Sequence, residues 1–148
     1  MNVSIRTLIY PMLILSLIFS GLLSACSTQE AEHSFSMASM NVMPSEVQSA
    51  PVTVQQAYQF AVANPDVLTK LPCYCGCGDV GHTSNYSCYV TEEESDGDLQ
   101  FDNHALGCSI CVDITQDAMR MLEDGKTVSE IRVYVDKTYA KFGPSNIQ

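Results

Sequence analysis

Apolar side chains recur at helical spacing in three stretches after residue 50. In the first stretch the apolar positions are Val54, Ala57, Phe60 and Ala61. It begins with residues 53–56, which have the form of a capping box, where side chains bind the backbone N–H groups that a helix leaves free. We predict a helix that ends at Asn64, followed by one short helical turn that opens with Pro65.

The second and third stretches predict two longer helices that meet near Gly125. Residues 103–124 place one set of apolar side chains on a single face, namely Ile110, Ile114, Ala118, Met121 and Leu122. Gly125 suits the position after a helix end because glycine readily adopts the left-handed conformation. Thr127 and Glu130 then form a second capping box, and the last helix is expected to reach Gly143 with Phe142 on its buried face.

Two short segments between the first and second helices predict a small β-hairpin. Residues 88–91 and 99–102 flank an acidic turn that contains Asp96 and Gly97. Before the hairpin, residues 73–87 are rich in Gly, Ser and Asn, which predicts a loop that carries cysteines. The predicted fold is mainly α, of a small α+β kind, with about three helices, a cysteine-rich loop and a hairpin.

The N-terminal 25 residues have the features of a secretory signal peptide. One basic residue, Arg6, precedes an apolar run from Leu8 to Leu23, and the run ends in LSAC, residues 23–26. This ending matches a bacterial lipobox, whose cysteine is acylated and becomes the first residue of the mature chain. We therefore expect a lipoprotein that is anchored through Cys26, with palmitate as an acyl chain, on the extracytoplasmic side of the bacterial cell membrane.

Residues 26–51 predict a flexible tether, and residues 52–148 a cysteine-rich metal-binding domain. The tether is rich in Ser, Gln, Glu, Ala and Pro and sustains no apolar period. Met37, Met40 and Met43 recur within it at every third position. Because thioethers bind Cu(I), these three are candidate auxiliary metal ligands; the alternative is an ordinary linker in which they recur by chance.

The charge of the chain limits its partners. Its formal net charge is −10 at pH 7. Such a surface repels nucleic-acid phosphates and anionic lipid headgroups, so we expect no nucleic-acid partner and no polybasic membrane binding. The expected partners are the membrane, reached through the lipid anchor, and metal ions. The sequence identifies no protein partner.

Six cysteines remain when Cys26 is set aside, and in a small exported domain an even number first suggests disulfides. They are Cys73, Cys75, Cys77, Cys88, Cys108 and Cys111. The first three alternate in LPCYCGCG, residues 71–78, and a bond between positions i and i+2 would be strained. Metal binding instead requires thiolates to converge, and alternating residues of an extended segment project to the same side.

Two histidines complete the predicted ligand set. His104, Cys108 and Cys111 follow each other at i, i+4 and i+7 and so share one face of the predicted second helix. His82 lies in the cysteine-rich loop. We therefore predict a metal site that is formed by all six cysteines together with His104 and His82.

The abundance of thiolates favours Cu(I), with zinc as the alternative metal. Zinc normally closes one four-ligand tetrahedron, which would leave two cysteines and two histidines unused, whereas a polynuclear Cu(I)-thiolate cluster uses all eight. The main enzyme alternative is thiol redox chemistry, with Cys75 and Cys77 or Cys108 and Cys111 as a dithiol pair. No catalytic triad or paired carboxylate is recognisable, so we expect a binding protein rather than an enzyme.

Several motifs together resemble the bacterial PCYCGC-motif lipoprotein family over about residues 53–142. They are LPCYCGCG at 71–78, Gly81-His82, Cys88, FDNH at 101–104, CSICVD at 108–113, Gly125-Lys126 and EIR at 130–132. The family is named for its motif, and the resemblance implies an exported lipoprotein in which these cysteines act as a group. We predict copper binding, buffering or delivery; the alternatives are a disulfide-stapled interaction domain and a thiol-disulfide redox protein.

Overall fold

Six helices and a two-stranded hairpin make up the part of the chain that the structure, a computed structural model, describes, residues 35–93 and 99–147. The helices are α1 (Ser45–Gln48), α2 (Val52–Ala63), α3 (Pro65–Leu68), α4 (His104–Gly107), α5 (Ser109–Glu123) and α6 (Val128–Tyr139). Short 3₁₀ helices cover Met40–Val42, Cys77–Val80 and Tyr86–Cys88. The signal peptide and lipid anchor predicted at residues 1–26 lie outside the described residues. Within the described residues, no helix is long and apolar enough to cross a membrane.

The hairpin pairs strand β1 (Val90–Glu93) with strand β2 (Leu99–Phe101) in antiparallel fashion. Val90 lies opposite Phe101, and a register irregularity follows before Glu92. The acidic turn at residues 94–98 lies outside the described residues. The prediction of a mainly α fold with a small hairpin is confirmed.

The core lies where α5 packs between α2 and α6. Its fully buried apolar side chains come from these three helices, from α3 and from the segments that carry the cysteines. They include Tyr58, Phe60, Leu68, Leu71, Tyr89, Ile114, Ile131 and Val135. Tyr58 and Tyr89 meet edge to face, with ring centroids 5.0 Å apart. This contact packs α2 against the loop that precedes the hairpin.

Local signals set the helix boundaries around Gly125. Gly125 has φ of 73°, and its N–H bonds to the Leu122 carbonyl while that of Lys126 bonds to the Met121 carbonyl. These two hydrogen bonds form a Schellman motif, so the predicted role of Gly125 is confirmed. The capping box of Thr127 and Glu130 is also present. Helix α6 nevertheless ends at Tyr139, and Phe142 is 52% exposed, so the prediction that Phe142 is buried is wrong.

The helix predicted at residues 103–124 is interrupted. Cys108 adopts an extended conformation, with φ of −120° and ψ of 101°, and it separates α4 from α5. Gly107, the last residue of α4, is a poor helix former and favours a break at this point. The expectation that His104, Cys108 and Cys111 share one face of a single helix is therefore corrected.

Residues 35–51 are packed against the helices, unlike the tether predicted there. Met43 and Val47 are buried, and the Phe35 ring meets that of Phe60 with centroids 4.9 Å apart. The Ala38 N–H also donates to the Gln59 carbonyl at 3.0 Å. The packed part of the described residues therefore begins before residue 52, where the cysteine-rich domain was predicted to start. The folding of this segment was not predicted, because its composition resembles that of a linker and its apolar side chains sustain no helical period.

Candidate metal centre

The cysteine-rich loop is bent so that its three thiols approach each other. Gly76 has φ of 85°, a left-handed conformation that glycine adopts without strain, and the chain turns there between Cys75 and Cys77. Cys73 and Cys77 are buried, and Cys75 is half-buried. The Sγ atoms of Cys73, Cys75 and Cys77 all lie within 4.8 Å of one another.

The two remaining buried cysteines extend this group. The sulfur–sulfur distances are 3.3 Å for Cys73–Cys75, 3.3 Å for Cys73–Cys111, 3.6 Å for Cys75–Cys111, 3.2 Å for Cys88–Cys111 and 3.7 Å for Cys77–Cys88. Tetrahedral zinc with Zn–S bonds of about 2.3 Å separates its sulfurs by about 3.8 Å. The observed spacing is slightly shorter, so small shifts would admit an ion between the sulfurs.

Cys111 lies at the centre of the sulfur group. Its Sγ contacts those of Cys73, Cys75 and Cys88, whereas a disulfide network would pair it with a single partner. All six cysteines of the described residues are free thiols. The arrangement therefore suits a cluster in which one thiolate bridges two ions.

Two groups of four ligands can each hold a metal ion. The first consists of Cys75, His104, Cys108 and Cys111, and the second of Cys77, His82, Cys88 and His104. In the first group, His104 Nε2 lies 3.3 Å from the Cys75 Sγ. In the second, the His82 and His104 rings meet edge to face at 5.1 Å between centroids.

The structure thus brings together all eight ligands that the sequence predicted. The methionines are placed differently. Met43 is buried in the hydrophobic core, 4% exposed, while Met37 is 39% exposed. The three methionines therefore differ in exposure, and their role as auxiliary metal ligands stays a prediction.

The thiols perturb each other's pKa values in both directions. Hydrogen bonds with the neighbouring thiols, chiefly that of Cys111, lower the pKa of Cys73 to about 7 and lower the pKa of Cys77 further. Contacts with Cys73, Cys77 and Cys88 raise the pKa of Cys111. A thiolate on one residue is therefore stabilised by protonated thiols on its neighbours.

The pKa values of two other thiols, Cys75 and Cys88, are raised. Burial, followed by the hydrogen bond with Cys73, raises the pKa of Cys75. The Cys111 thiol lowers the pKa of Cys88, but Cys73, Cys77 and burial outweigh it and raise that pKa overall. The group therefore holds several protons at neutral pH, which a soft metal ion would displace.

A buried polar network forms hydrogen bonds with the backbone of Cys111, the central cysteine of the sulfur group. The Cys111 carbonyl accepts hydrogen bonds from Asn85 Nδ2 at 3.2 Å, Tyr89 Oη at 2.8 Å and Thr115 Oγ1 at 3.2 Å. Thr115 Oγ1 also lies 2.8 Å from Asn85 Oδ1. All three side chains are fully buried. The network fixes the first turn of α5 and, with it, Cys111.

The C-terminal segment holds the cysteine-rich loop from the other side. Asn146 Oδ1 accepts from the Cys73 N–H at 2.7 Å, and Asn146 Nδ2 donates to the Ser84 carbonyl at 3.1 Å and to Cys77 Sγ at 3.5 Å. The Asn146 N–H also donates to the Cys73 carbonyl at 3.2 Å. Gly143 permits this approach, since an added Cβ would lie 2.8 Å from the Tyr74 carbonyl oxygen.

Sequence reasoning missed these supporting residues. Asn85, Thr115 and Asn146 carry no local signal, because their partners lie far away along the chain. Asp102 carried a weak one: an aspartate two positions before a helix start commonly accepts a backbone N–H, as Asp102 Oδ1 does from His104 at 2.6 Å.

The model of one protein family matches residues 13–145, nine-tenths of the chain, and the family is described as protein of unknown function with PCYCGC motif. The chain belongs to the PCYCGC family. No curated protein matches it. No solved structure matches it. Membership in the PCYCGC family thus identifies the cysteine motif, and the function has to be argued from the geometry of the site.

Proposed function

We propose that this PCYCGC protein is an exported, lipid-anchored protein that binds Cu(I) in a polynuclear thiolate cluster and buffers or delivers it. The ligands of the cluster are the six cysteines, His82 and His104. The observation that carries the proposal is the contact of Cys111 Sγ with three other sulfurs, since a shared central thiolate is what a cluster of several ions requires.

Copper is preferred to zinc because of the number and kind of the ligands. Soft thiolates favour Cu(I), and one tetrahedral zinc ion would use only four of the eight ligands that lie close together. Most of these thiols are buried, which suits storage or transfer of an ion better than attack on a substrate disulfide. We therefore propose binding rather than catalysis as the role of the site.

The lipid anchor and the location rest on the sequence. The apolar run that ends in LSAC supports removal of residues 1–25 and acylation of Cys26. Growth of the producing bacterium with labelled palmitate is expected to label the wild-type chain. The Cys26→Ser variant is expected to carry no label and to keep its metal. Equal labelling of both chains would contradict the anchor.

Metal binding is tested on the full chain, purified in detergent under anaerobic, reducing conditions. We expect elemental analysis and native mass spectrometry to find more than one Cu(I) per chain, retained in the presence of equimolar Zn(II). Cys111→Ser is expected to lose most of the copper because it removes the shared sulfur. Ser109→Ala, an exposed change two residues away, is expected to keep it.

Two other outcomes would support the alternative functions. Three disulfides and no metal in protein taken directly from the cell envelope would favour the disulfide-stapled interaction domain. Reduction or isomerisation of a test disulfide by the metal-free chain would favour the redox protein. Preferential retention of Zn(II) would keep the metal site and overturn the choice of copper.

A further inference from the structure

His82 has an unusual environment for a buried histidine. Its side chain is only 9% exposed, and Nε2 lies 3.3 Å from Asp102 Oδ2. In residues 35–93 and 99–147, His82 Nδ1 is the one buried side-chain nitrogen or oxygen that has no hydrogen-bond partner. Such an atom lowers stability unless something binds it, so it requires an explanation.

The ligand groups supply that explanation. A ring nitrogen of His82 lies within 4.8 Å of ligand atoms of Cys77, Cys88 and His104. The Nε2 atom of His82 already contacts the Asp102 carboxylate. A histidine that ligates a metal through one ring nitrogen commonly donates its other N–H to a carboxylate. With Nε2–H directed at Asp102, Nδ1 carries the free lone pair that a metal ion needs.

The Asp102 carboxylate is itself held in place. The backbone N–H of Asp102 donates to the Tyr89 carbonyl at 2.9 Å, and the backbone carbonyl of Asp102 accepts from Tyr58 Oη at 2.6 Å. Its second carboxylate oxygen accepts the His104 N–H at 2.6 Å. One anchored carboxylate therefore orients the His82 ring and fixes the start of the helix that carries His104.

We infer that the ligands form two adjoining centres. His82 Nδ1, Cys77 and Cys88 bind one ion, beside the centre of Cys75, Cys108, Cys111 and His104, and Asp102 is the positioning residue of the His82 centre. The inference rests on the proposed metal binding and adds to it the ligating atom and the division of the ligands.

His104 is assigned to the other centre because a neutral imidazole offers one lone pair and its Nε2 already lies 3.3 Å from Cys75 Sγ. Cys73 Sγ lies 3.3 Å from both Cys75 and Cys111 and also within 4.8 Å of Cys77 and Cys88. Cys73 is therefore placed to join the two centres, and so is Cys111, whose Sγ lies 3.2 Å from that of Cys88. Beside His82, a cavity of about 330 Å³ lies between the loop and residues 144–146.

The Asp102→Asn variant tests the positioning role. The amide oxygen can still accept from the His104 N–H, which turns the amide NH₂ toward His82 Nε2. Nε2 must then accept a hydrogen bond, so the proton moves to Nδ1 and blocks metal binding there. We expect one ion fewer per chain, or about a 10- to 100-fold weaker binding of that ion, while the other centre keeps its metal.

The experiment uses the full chain in detergent, labelled with ¹⁵N-histidine and loaded with Cu(I) or Zn(II). Long-range ¹H–¹⁵N spectra distinguish the two ring nitrogens, and we expect Nδ1 of His82 to be the metal-bound one in the wild type. Asp102→Asn is expected to show a free His82 protonated at Nδ1. Asp113→Asn, the same charge change at an exposed position on α5, is expected to match the wild type.

The possible failures can be told apart. A wild-type chain that binds no metal overturns the proposed function and this inference with it. A metal-loaded wild type whose His82 is unbound, or bound through Nε2, overturns the inference alone. An Asp102→Asn chain with wild-type stoichiometry, affinity and His82 signals overturns the positioning role. If that variant fails to fold, the wild-type spectrum still decides which nitrogen binds.

Discussion

Truncation of Asn146 to alanine is expected to destabilise the protein even though the residue is third from the C-terminus. The change removes the acceptor of the Cys73 N–H and the donor to the Ser84 carbonyl. Cys73 and Ser84 are buried, at 0% and 4% exposure, so both backbone groups would lose their partners away from bulk water.

The size of the effect follows from these two groups. An unsatisfied buried donor or acceptor costs about 1–3 kcal/mol, so two would cost about 2–6 kcal/mol. Asn146 itself is half-buried, and water that enters after truncation would satisfy part of the demand. We therefore expect a loss near the lower end, about 2–3 kcal/mol in the free energy of unfolding.

Urea unfolding of a soluble, reduced chain that starts at Glu32 measures this loss by circular dichroism. With a urea dependence of about 1.3 kcal/mol/M, the midpoint should fall by about 2 M. Asn41→Ala, a truncation at an exposed asparagine, should change the free energy of unfolding by less than about 0.5 kcal/mol. Equal midpoints for the two variants would refute the reasoning, because the C-terminal segment would then not hold the cysteine-rich loop.

Three further changes test other parts of the structure. Thr115→Val leaves Asn85 Oδ1 without its donor in a fully buried site and should cost about 1–3 kcal/mol by urea unfolding; an unchanged midpoint would show that the network is dispensable. Gly125→Ala should cost about 1–2 kcal/mol because φ is 73°, whereas Gly107→Ala, with no atom within 4 Å of the added Cβ, should not destabilise; equal effects would contradict the Schellman assignment. Cu(I) loading at pH 7 should release about three or more protons per chain, counted with an indicator dye, because three thiols with raised pKa values are protonated there. These thiols are Cys75, Cys88 and Cys111. Affinity should therefore rise with pH, and release of fewer than one proton would show that these thiols are not ligands.

Sequence reasoning succeeded at most places where the information was local, although the capping box predicted at residues 53–56 does not form, since that helix begins at Val52 after Pro51. The capping box at Thr127 and the left-handed Gly125 involve partners within five residues, and both were predicted. The grouping of the cysteines was predicted because cysteine is rare and its spacing restricts its use, and their role as metal ligands stays a prediction. The interruption at Cys108 was not predicted, since the apolar pattern continues through it and only Gly107 hinted at a break.

The rest of the site depends on contacts between distant parts of the chain. Asn146 binds Cys73 across 73 residues, and Thr115 binds Asn85 across 30. Nothing in the sequence distinguishes Asn146 or Thr115 from a polar residue that faces solvent. The folding of residues 35–51 was missed for the same reason, because the burial of Met43 and Val47 depends on where α2 lies.

The polar network beneath Cys111 bears on how fast an ion can move. Its hydrogen bonds come from Asn85, Tyr89 and Thr115, none of which is a metal ligand, so their geometry does not require a bound ion. In zinc fingers, by contrast, release of the metal unfolds the domain. If the proposed copper site is correct, an acceptor can replace the thiolates around an ion one at a time while the helices remain folded. Exchange would then proceed at the rate of ligand substitution rather than at the rate of unfolding.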